Sequence, residues 1–409
     1  MTKKILSLIV FVFILSLVNN VAAKTQTIVN KADIVLGNER IDEFRDFFTN
    51  KRVGLITNAT GTDKKYKSTV DILKEKTNLT AIFTPEHGFG GNVQAAEKTK
   101  DEYDTHYNLP IYSLYGATRK PTQQMLDNID VLVFDIQDVG TRHYTYVSTL
   151  VYAMQACKEQ NKKVVVLDRP NPISGIVSGT VLKRENSSFI GLYPIPLRHG
   201  MTIGELAIFF NNEEKIGADL KVIPMIGWKR DMFITDTNIP WIQTSPNIPT
   251  PMSALLYNAT GIVGSVQASD GIGTTQPFEF VGMPNIDAYE LANSMNKYNF
   301  AGVHFRPLTF TPKFGNFKNI TCNGVQLHIT DYKYFDATTV GAVLIRELWK
   351  RYKGTDDFWR DMGEKKSIDL HLGEDSLQDQ TQEIFDITKR WEQEANNFKK
   401  TASKYYLYK

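Results

Sequence analysis

The sequence predicts a Rossmann-like parallel α/β sheet with helices on both faces, followed by a smaller α+β C-terminal domain. Three observations lead there. Continuous Val/Ile/Leu runs alternate with helical patterns through the first half, as strands buried on both faces do. Four of those runs end in polar groups. The alternation weakens after about Trp241, where "TSPNIPTPMSALLYNATGIVGS" (244–265) is rich in Pro, Ser, Thr and Asn.

Taken in order, "RVGLIT" (52–57) is a short apolar strand and "YKSTVDILKEKT" (66–77) a helix. "LTAIFT" (79–84) and "PIYSLY" (110–115) read as strands, and "PTQQMLDNI" (121–129) as a helix with Pro in its first turn. "DVLVFD" (130–135) and "KVVVLD" (163–168) are buried strands, with the helix "YTYVSTLVYAMQACKEQ" (144–160) between them. "TIGELAIFFNNEE" (202–214) opens with Thr202 and carries Glu205 three residues on, a capping-box pattern. "DLKVIPM" (219–225) closes the series. Beyond the Pro-rich stretch, helices such as "DAYELANSMNKY" and "TVGAVLIRELWKRY" mix with short strands such as "GVHFRPLTF" and "GVQLHIT". The charged amphipathic run 379–405 reads as a packing helix. The expected division is therefore a leader over 1–23, a Rossmann-like catalytic domain over 24–245 and a smaller domain over 246–409 that completes the cleft.

The leader is read from Lys3 and Lys4, the apolar run Ile5 to Val18, and the small residues Val21-Ala22-Ala23 before Lys24. That is the pattern of a secretory signal peptide. The apolar run is short of the ~20 residues a spanning helix needs. The expectation is export to a periplasm or cell surface, with no membrane span once the leader is cleaved. Lys and Arg total 47 against 45 Asp and Glu, so no basic surplus points to nucleic acid. Only Cys157 and Cys322 are present, which excludes a disulfide framework; Cys157 reads as a small core residue. The 18 Tyr and 23 Phe are many, and aromatic rings serve both cores and sugar-stacking faces. Oligomeric state is not encoded in any pattern here.

In a parallel α/β sheet, ligands bind beyond the carboxyl ends of the strands. The first strand ends at Thr57-Asn58 and the second at Glu86-His87. The third ends at Asp135, then Gln137 and Asp138. The fourth ends at Asp168-Arg169, then Asn171. These loops converge on one edge, although Asp and Asn also cap turns. A dinucleotide turn is broken because Val93 stands where a third glycine is needed after Gly88 and Gly90. No phosphate loop, G-x-S-x-G elbow or H-E-x-x-H spacing occurs. No cofactor is expected, and a metal held by Asp135, Asp138 and His87 is a minor alternative. Carboxylate chemistry remains. Glycoside hydrolysis needs a protonated carboxyl to feed the leaving oxygen and compensation for charge at the sugar carbon. Glu86, between Pro85 and His87 and ahead of a glycine-rich loop, suits the first role; its bland alternative is a structural pair with Arg142 or Arg169. Asp135 and Asp138 are candidates for the second. "DIQDVGTRHYTYVSTL" (135–150) is the densest polar cluster. Gln137 and Arg142 read as substrate-binding, Tyr144 and Tyr146 as hydrogen-bond donors, stacking faces or core, and His143 and His199 as loop imidazoles.

The motifs "GLITNATG", "FTPEHGFGG", "LPIYSLYG", "DIQDVGTRHYTYVSTL", "VLDRPNP" and "RHGMTIGELA" resemble the bacterial exo-β-N-acetylmuramidase family (NamZ type, formerly a domain of unknown function), from about Ile34 to the C-terminus. The resemblance implies a Rossmann-like domain joined to a smaller α+β domain with the cleft between them. It also implies release of terminal N-acetylmuramic acid from peptidoglycan fragments, with Glu86 as the leading catalytic candidate. On that reading Asn58, His87, Gln137, Arg142, Tyr144, Tyr146, Arg169, Asn171 and His199 are candidate sugar-binding groups, and Arg142 or Arg169 is a partner for the lactyl carboxylate of muramic acid. One departure stands out. The family commonly carries Glu-Gly-Thr-Asn before "GRGT-x-x-PF", whereas this chain has "GSVQASDGIGTTQPFEF". Gly264 takes the glutamate position, Gln267 the asparagine and Ile272 the arginine, and His143 stands where an aromatic is usual. Asp270 or Glu279 could compensate. A non-hydrolytic muropeptide-binding protein and a metal-dependent hydrolase are the alternatives.

Overall fold

The computed structural model describes residues 31–353 and 355–409; the leader read over 1–23 lies outside them. The first half builds a seven-stranded sheet from β1 (Arg52–Thr57), β2 (Asn78–Thr84), β3 (Glu102–Asp104), β4 (Leu109–Ser113), β5 (Val131–Asp135), β6 (Lys163–Leu167) and β9 (Asp219–Ile223), in the order β3-β4-β2-β1-β5-β6-β9. All pairings are parallel except the edge strand β3. The chain builds outward from β1 through β2 to β4, then returns to β1 and builds the other way through β5, β6 and β9. The loops after β1 and β5 therefore part at the sheet's switch point, where a crevice forms in such folds.

The continuous apolar runs have a simple cause. Successive residues of β5 and β6 point to opposite faces, and both faces are covered. Leu132, Phe134, Val164 and Val166 join one core, while Val131, Val133, Val165 and Leu167 join the other. The second core is closed by the 3-10 segment Gly37–Phe47 and by α1 (Thr69–Lys76), whose N-cap Ser68 accepts from the Asp71 amide. The first core is closed by α3 (Tyr146–Glu159) and α4 (Ile203–Glu213). The predicted capping box opens α4: Thr202 Oγ1 accepts from the Glu205 amide and Glu205 reaches back to the Thr202 amide. The helix read over 121–129 shrinks to one turn, α2 (Gln123–Leu126). Cys157 and Cys322 are free and fully buried.

The Pro-rich stretch 244–265 is not a simple linker. Thr250 caps, and Pro251 begins, the helix α5 (Pro251–Thr260), because proline at the first helical position gives up an amide that has no partner anyway. The first core continues through α5 into the second half. There β10 (Phe280–Met283), β12 (Cys322–Ile329) and β11 (Val303–Phe310) form an antiparallel sheet, packed by α6 (Ala288–Lys297), while α7 (Ala337–Arg351) lies against α5 and α6. After the short α8 (Ser367–Leu372), the predicted amphipathic helix forms as α9 (Ile384–Ala402) and lies against the hairpin β7–β8 (Ser178–Val181, Pro196–Arg198). Among the described residues, no helix is long and apolar enough to cross a membrane.

The last residues return to the Rossmann-like sheet. Tyr408 Oη donates to Asp168 Oδ2 at 2.6 Å and accepts from the Met225 amide at 2.9 Å. The Leu407 amide donates to Glu205 Oε1 at 2.8 Å, and Arg230, paired to Glu205, stacks 3.5 Å from the Tyr406 ring centre. Asp168 also accepts from Thr202 Oγ1 and from the Arg169 and Gly204 amides. Removing one donor from so buried a carboxyl leaves part of its desolvation uncompensated. Tyr408→Phe is therefore expected to lower stability by about 1–3 kcal/mol, read as a lower urea midpoint with unchanged slope.

Candidate active site

Glu86 follows β2 on a turn held by unusual backbone. His87, Gly88 and Gly91 all have positive φ, at 74°, 74° and 67°. A left-handed histidine is uncommon and costs energy that the surroundings must supply. Here the Gly88 amide closes on the Pro85 carbonyl, the Val93 amide on the His87 carbonyl, and His87 Nδ1 donates to the Val93 carbonyl at 2.7 Å. The turn thereby fixes the carboxyl. Glu86 Oε1 accepts from the Ala96 amide at 2.9 Å and Oε2 from Thr145 Oγ1 at 2.6 Å, with the residue 7 % exposed. Thr145 is the N-cap of α3, yet its hydroxyl makes no capping bond. An N-cap threonine ordinarily accepts from the first turn of its helix; this one serves Glu86 instead.

Around Glu86 lies a cleft of about 540 Å³ between the strand ends and the second half of the chain. Tyr115 and Tyr144 line it from the first half, and Tyr257, Phe278, Asp270 and His371 from the second. Burial, then the Glu86 charge, pushes the Tyr115 phenol up to about 12. Burial first, then Tyr144, Glu86 and Asp270, holds the Tyr257 phenol well above its usual value, so the phenols are donors. Burial also holds His143 well below the usual imidazole value and lowers His371. The two rings sit 5.8 Å apart, and His143 packs 4.7 Å from Tyr257. Neither nitrogen of His143 nor Tyr144 Oη finds a hydrogen-bond partner among the described residues.

Asp270 is the second carboxyl on the cleft wall. Its Oδ1 accepts from the Ile272 amide at 3.2 Å, and burial pushes its pKa up to about 6. A Cβ built on Gly264 would stand 2.6 Å from Asp270 Oδ2. The Asp270 carboxyl thus lies where a side chain at 264 would begin. Glu279 does not line the cleft.

Of the residues singled out from sequence, Glu86, His87, His143, Tyr144, Gly264, Asp270 and Ile272 reach this cleft. The others are committed elsewhere. Asp135 is fully buried against Arg169, at 2.5 Å to Nε and 2.8 Å to Nη2, and also accepts from Thr69 Oγ1 and Asn38 Nδ2. Arg169 Nη2 also donates to the Thr62 carbonyl. Asn58 binds Tyr146 Oη and the Thr60 amide, and Tyr146 Oη donates to the Thr244 carbonyl. Gln137 donates to the carbonyls of Asp138 and Pro170, and Asn171 bonds the Ile173 amide and the Met201 carbonyl. Asp138 Oδ2 caps the Gly140 amide and lies 3.5 Å from His199 Nε2. Arg142 donates to the carbonyls of Thr180, Ile195, His371 and Leu372. These groups hold the strand-end loops in place and do not line the cleft; being buried, they take hydrogen-bond partners from loop backbone and from one another. Among the described residues no three His, Cys, Asp or Glu side chains converge as metal ligands, and Asp135 in particular is turned toward Arg169.

Sequence reasoning passed over Tyr115, Arg119, Thr145, Phe189, Tyr257 and His371, all on the cleft wall. Tyr115 follows β4, which pairs with β2, so extending the strand-end rule to β4 would have found it. The rest come from loops and helices whose approach only the fold reveals.

Residues 53–252 match the family model described as exo-beta-N-acetylmuramidase NamZ, N-terminal, and residues 255–408 match its C-terminal counterpart. The peptidoglycan beta-N-acetylmuramidase NamZ of Bacillus subtilis (strain 168) is 43% identical over 374 residues, covering 90% of this chain and 89% of that protein. Two crystal structures of DUF1343 family proteins from Bacteroides fragilis NCTC 9343 superpose with TM-scores of 0.83 and 0.76, at 39% and 30% identity. Each covers 92% of this chain and 99% of its own. The same two-part match along nearly the whole sequence places the chain in the exo-β-N-acetylmuramidase NamZ family.

Proposed function

We propose that this chain is an exported glycosidase that releases terminal N-acetylmuramic acid from the non-reducing end of peptidoglycan fragments, in cell-wall turnover or recycling. The observation that carries the reading is the clamped carboxyl of Glu86, both oxygens held, facing an aromatic-walled cleft. Kinship with a peptidoglycan muramidase supports the substrate class. The Lys3-Lys4 start and the apolar run that follows support export.

In this mechanism Glu86 is the general acid. As the bond from the muramyl anomeric carbon to the glycosidic oxygen breaks, the Glu86 proton goes to that oxygen and the remaining glycan leaves as an alcohol. Positive charge then develops on the sugar. Asp270, across the cleft, supplies the opposing carboxylate. Water adds its oxygen to the anomeric carbon, and its proton restores the acid. Tyr144, Tyr257 and Phe278 offer ring faces to the apolar side of the pyranose. In this scheme Asp270 takes the place of the usual glutamate that Gly264 lacks, and Asp135 and Asp138 are supports.

Two outcomes are expected. Glu86→Gln should lower kcat about 10²- to 10⁴-fold on a chromogenic N-acetylmuramide, with the circular dichroism spectrum unchanged; wild-type-like release of free sugar would remove Glu86 from the role. For Asp270 the sign follows from its raised pKa: the carboxylate prevails above about 6 and is lost below it. The kcat/KM profile should therefore fall as pH drops through about 6, and Asp270→Asn should flatten that limb while lowering the plateau. An acid limb that persists unchanged in the variant would assign it to another group.

A further inference from the structure

Arg142 and Arg169, the arginines that sequence offers for the lactyl carboxylate, are both spent on internal partners. Among the described residues, the cleft wall nonetheless carries one cation. Arg119 is its only Lys or Arg, sits on the loop after β4, and makes no ion pair among the described residues. Its guanidinium lies 4.2 Å from the Phe189 ring centre and 5.3 Å from that of Tyr115. The loop under it is braced, since Thr118 Oγ1 bonds both the carbonyl and the amide of Lys120, and Lys120 pairs with Glu159 at 2.6 Å. Stacking fixes the plane of a guanidinium while leaving its N–H edge free for a carboxylate.

We propose that Arg119 is the specificity residue that reads the free lactyl carboxylate of the terminal sugar, an assignment that rests on the muramidase reading above. Charge within the cleft argues for it. The acidic groups on the wall are Glu86 and Asp270, and His143 and His371 are held toward the neutral form. An anionic sugar entering that field needs a cation to offset repulsion and lost hydration. Arg119 is placed to supply it bidentately. Tyr115, between Arg119 and Glu86 in their electrostatic influence, ties the recognition end of the cleft to the reacting end. N-acetylglucosamine has the same ring and acetamido group without the lactyl carboxylate, so this contact separates the two sugars.

The test compares wild type, Arg119→Gln and Arg119→Lys on three chromogenic glycosides: the N-acetylmuramide, its lactyl methylamide and the N-acetylglucosaminide. Arg119→Gln should lose about 10- to 100-fold in kcat/KM on the muramide, mostly through KM, and change little on the methylamide or the glucosaminide. Arg119→Lys should recover part of the loss, as a charge without the fork. Calorimetric titration with free N-acetylmuramic acid reads the same residue without turnover, and binding should weaken in Arg119→Gln. Equal loss on all three glycosides, or unchanged muramide binding and turnover, would overturn the assignment. Wild type that binds muramic acid through Arg119 but releases no product would instead sink the hydrolase reading and leave Arg119 in place.

Discussion

The buried guanidinium of Arg142 is the constraint on which the two halves of this protein depend. It is 2 % exposed and, among the described residues, meets no carboxylate partner, only four carbonyl oxygens. Two of those carbonyls belong to the hairpin region of the first half and two to the end of α8. A helix C-terminus carries partial negative charge, so the cation and the helix end neutralise one another without a formal ion pair. Gly373, at φ 91°, closes that helix, and a Cβ there would come within 2.7 Å of Arg142 Nη2. The glycine is required twice, by the backbone and by the arginine. Because α8 carries His371, this same bond sets the far wall of the cleft.

The strand ends obey the same logic. A parallel sheet gathers loops, side-chain amides and carboxyls at one edge, and most of that edge is inside the protein. Asp135 and Arg169 neutralise each other there, and Asn58, Gln137 and Asn171 satisfy loop backbone. Such a buried pair contributes little net stability but would be costly to break on one side. The loops are then rigid enough to hold His87 in a left-handed conformation and Glu86 in a fixed direction.

This explains what could be read from sequence. The sheet strands, α3, α4 and the late helices were legible because hydrophobic period is a local property. The Pro-rich stretch was legible as a change in pattern, whereas the helix that Pro251 begins inside it was not. Glu86 was legible from its motif and its place after β2. The arginines were not, since Arg142, Arg169 and Arg119 look alike along the chain. They differ in what surrounds them once folded: carbonyls for Arg142, the Asp135 carboxylate for Arg169 and aromatic rings for Arg119. Thr145 was equally hidden: at a helix start it looks like a cap, and only the geometry reveals that its hydroxyl points to Glu86.

The closeness of Gly264 to Asp270 carries a consequence for substitution at either position. A side chain at 264 and the carboxyl of Asp270 compete for one small volume. Placing a glutamate at 264 therefore requires the Asp270 carboxyl to turn from its present position, where it accepts from the Ile272 amide. The two positions are coupled: a longer side chain at 264 and Asp270 in its present rotamer exclude one another, so the effects of changing both are not expected to add.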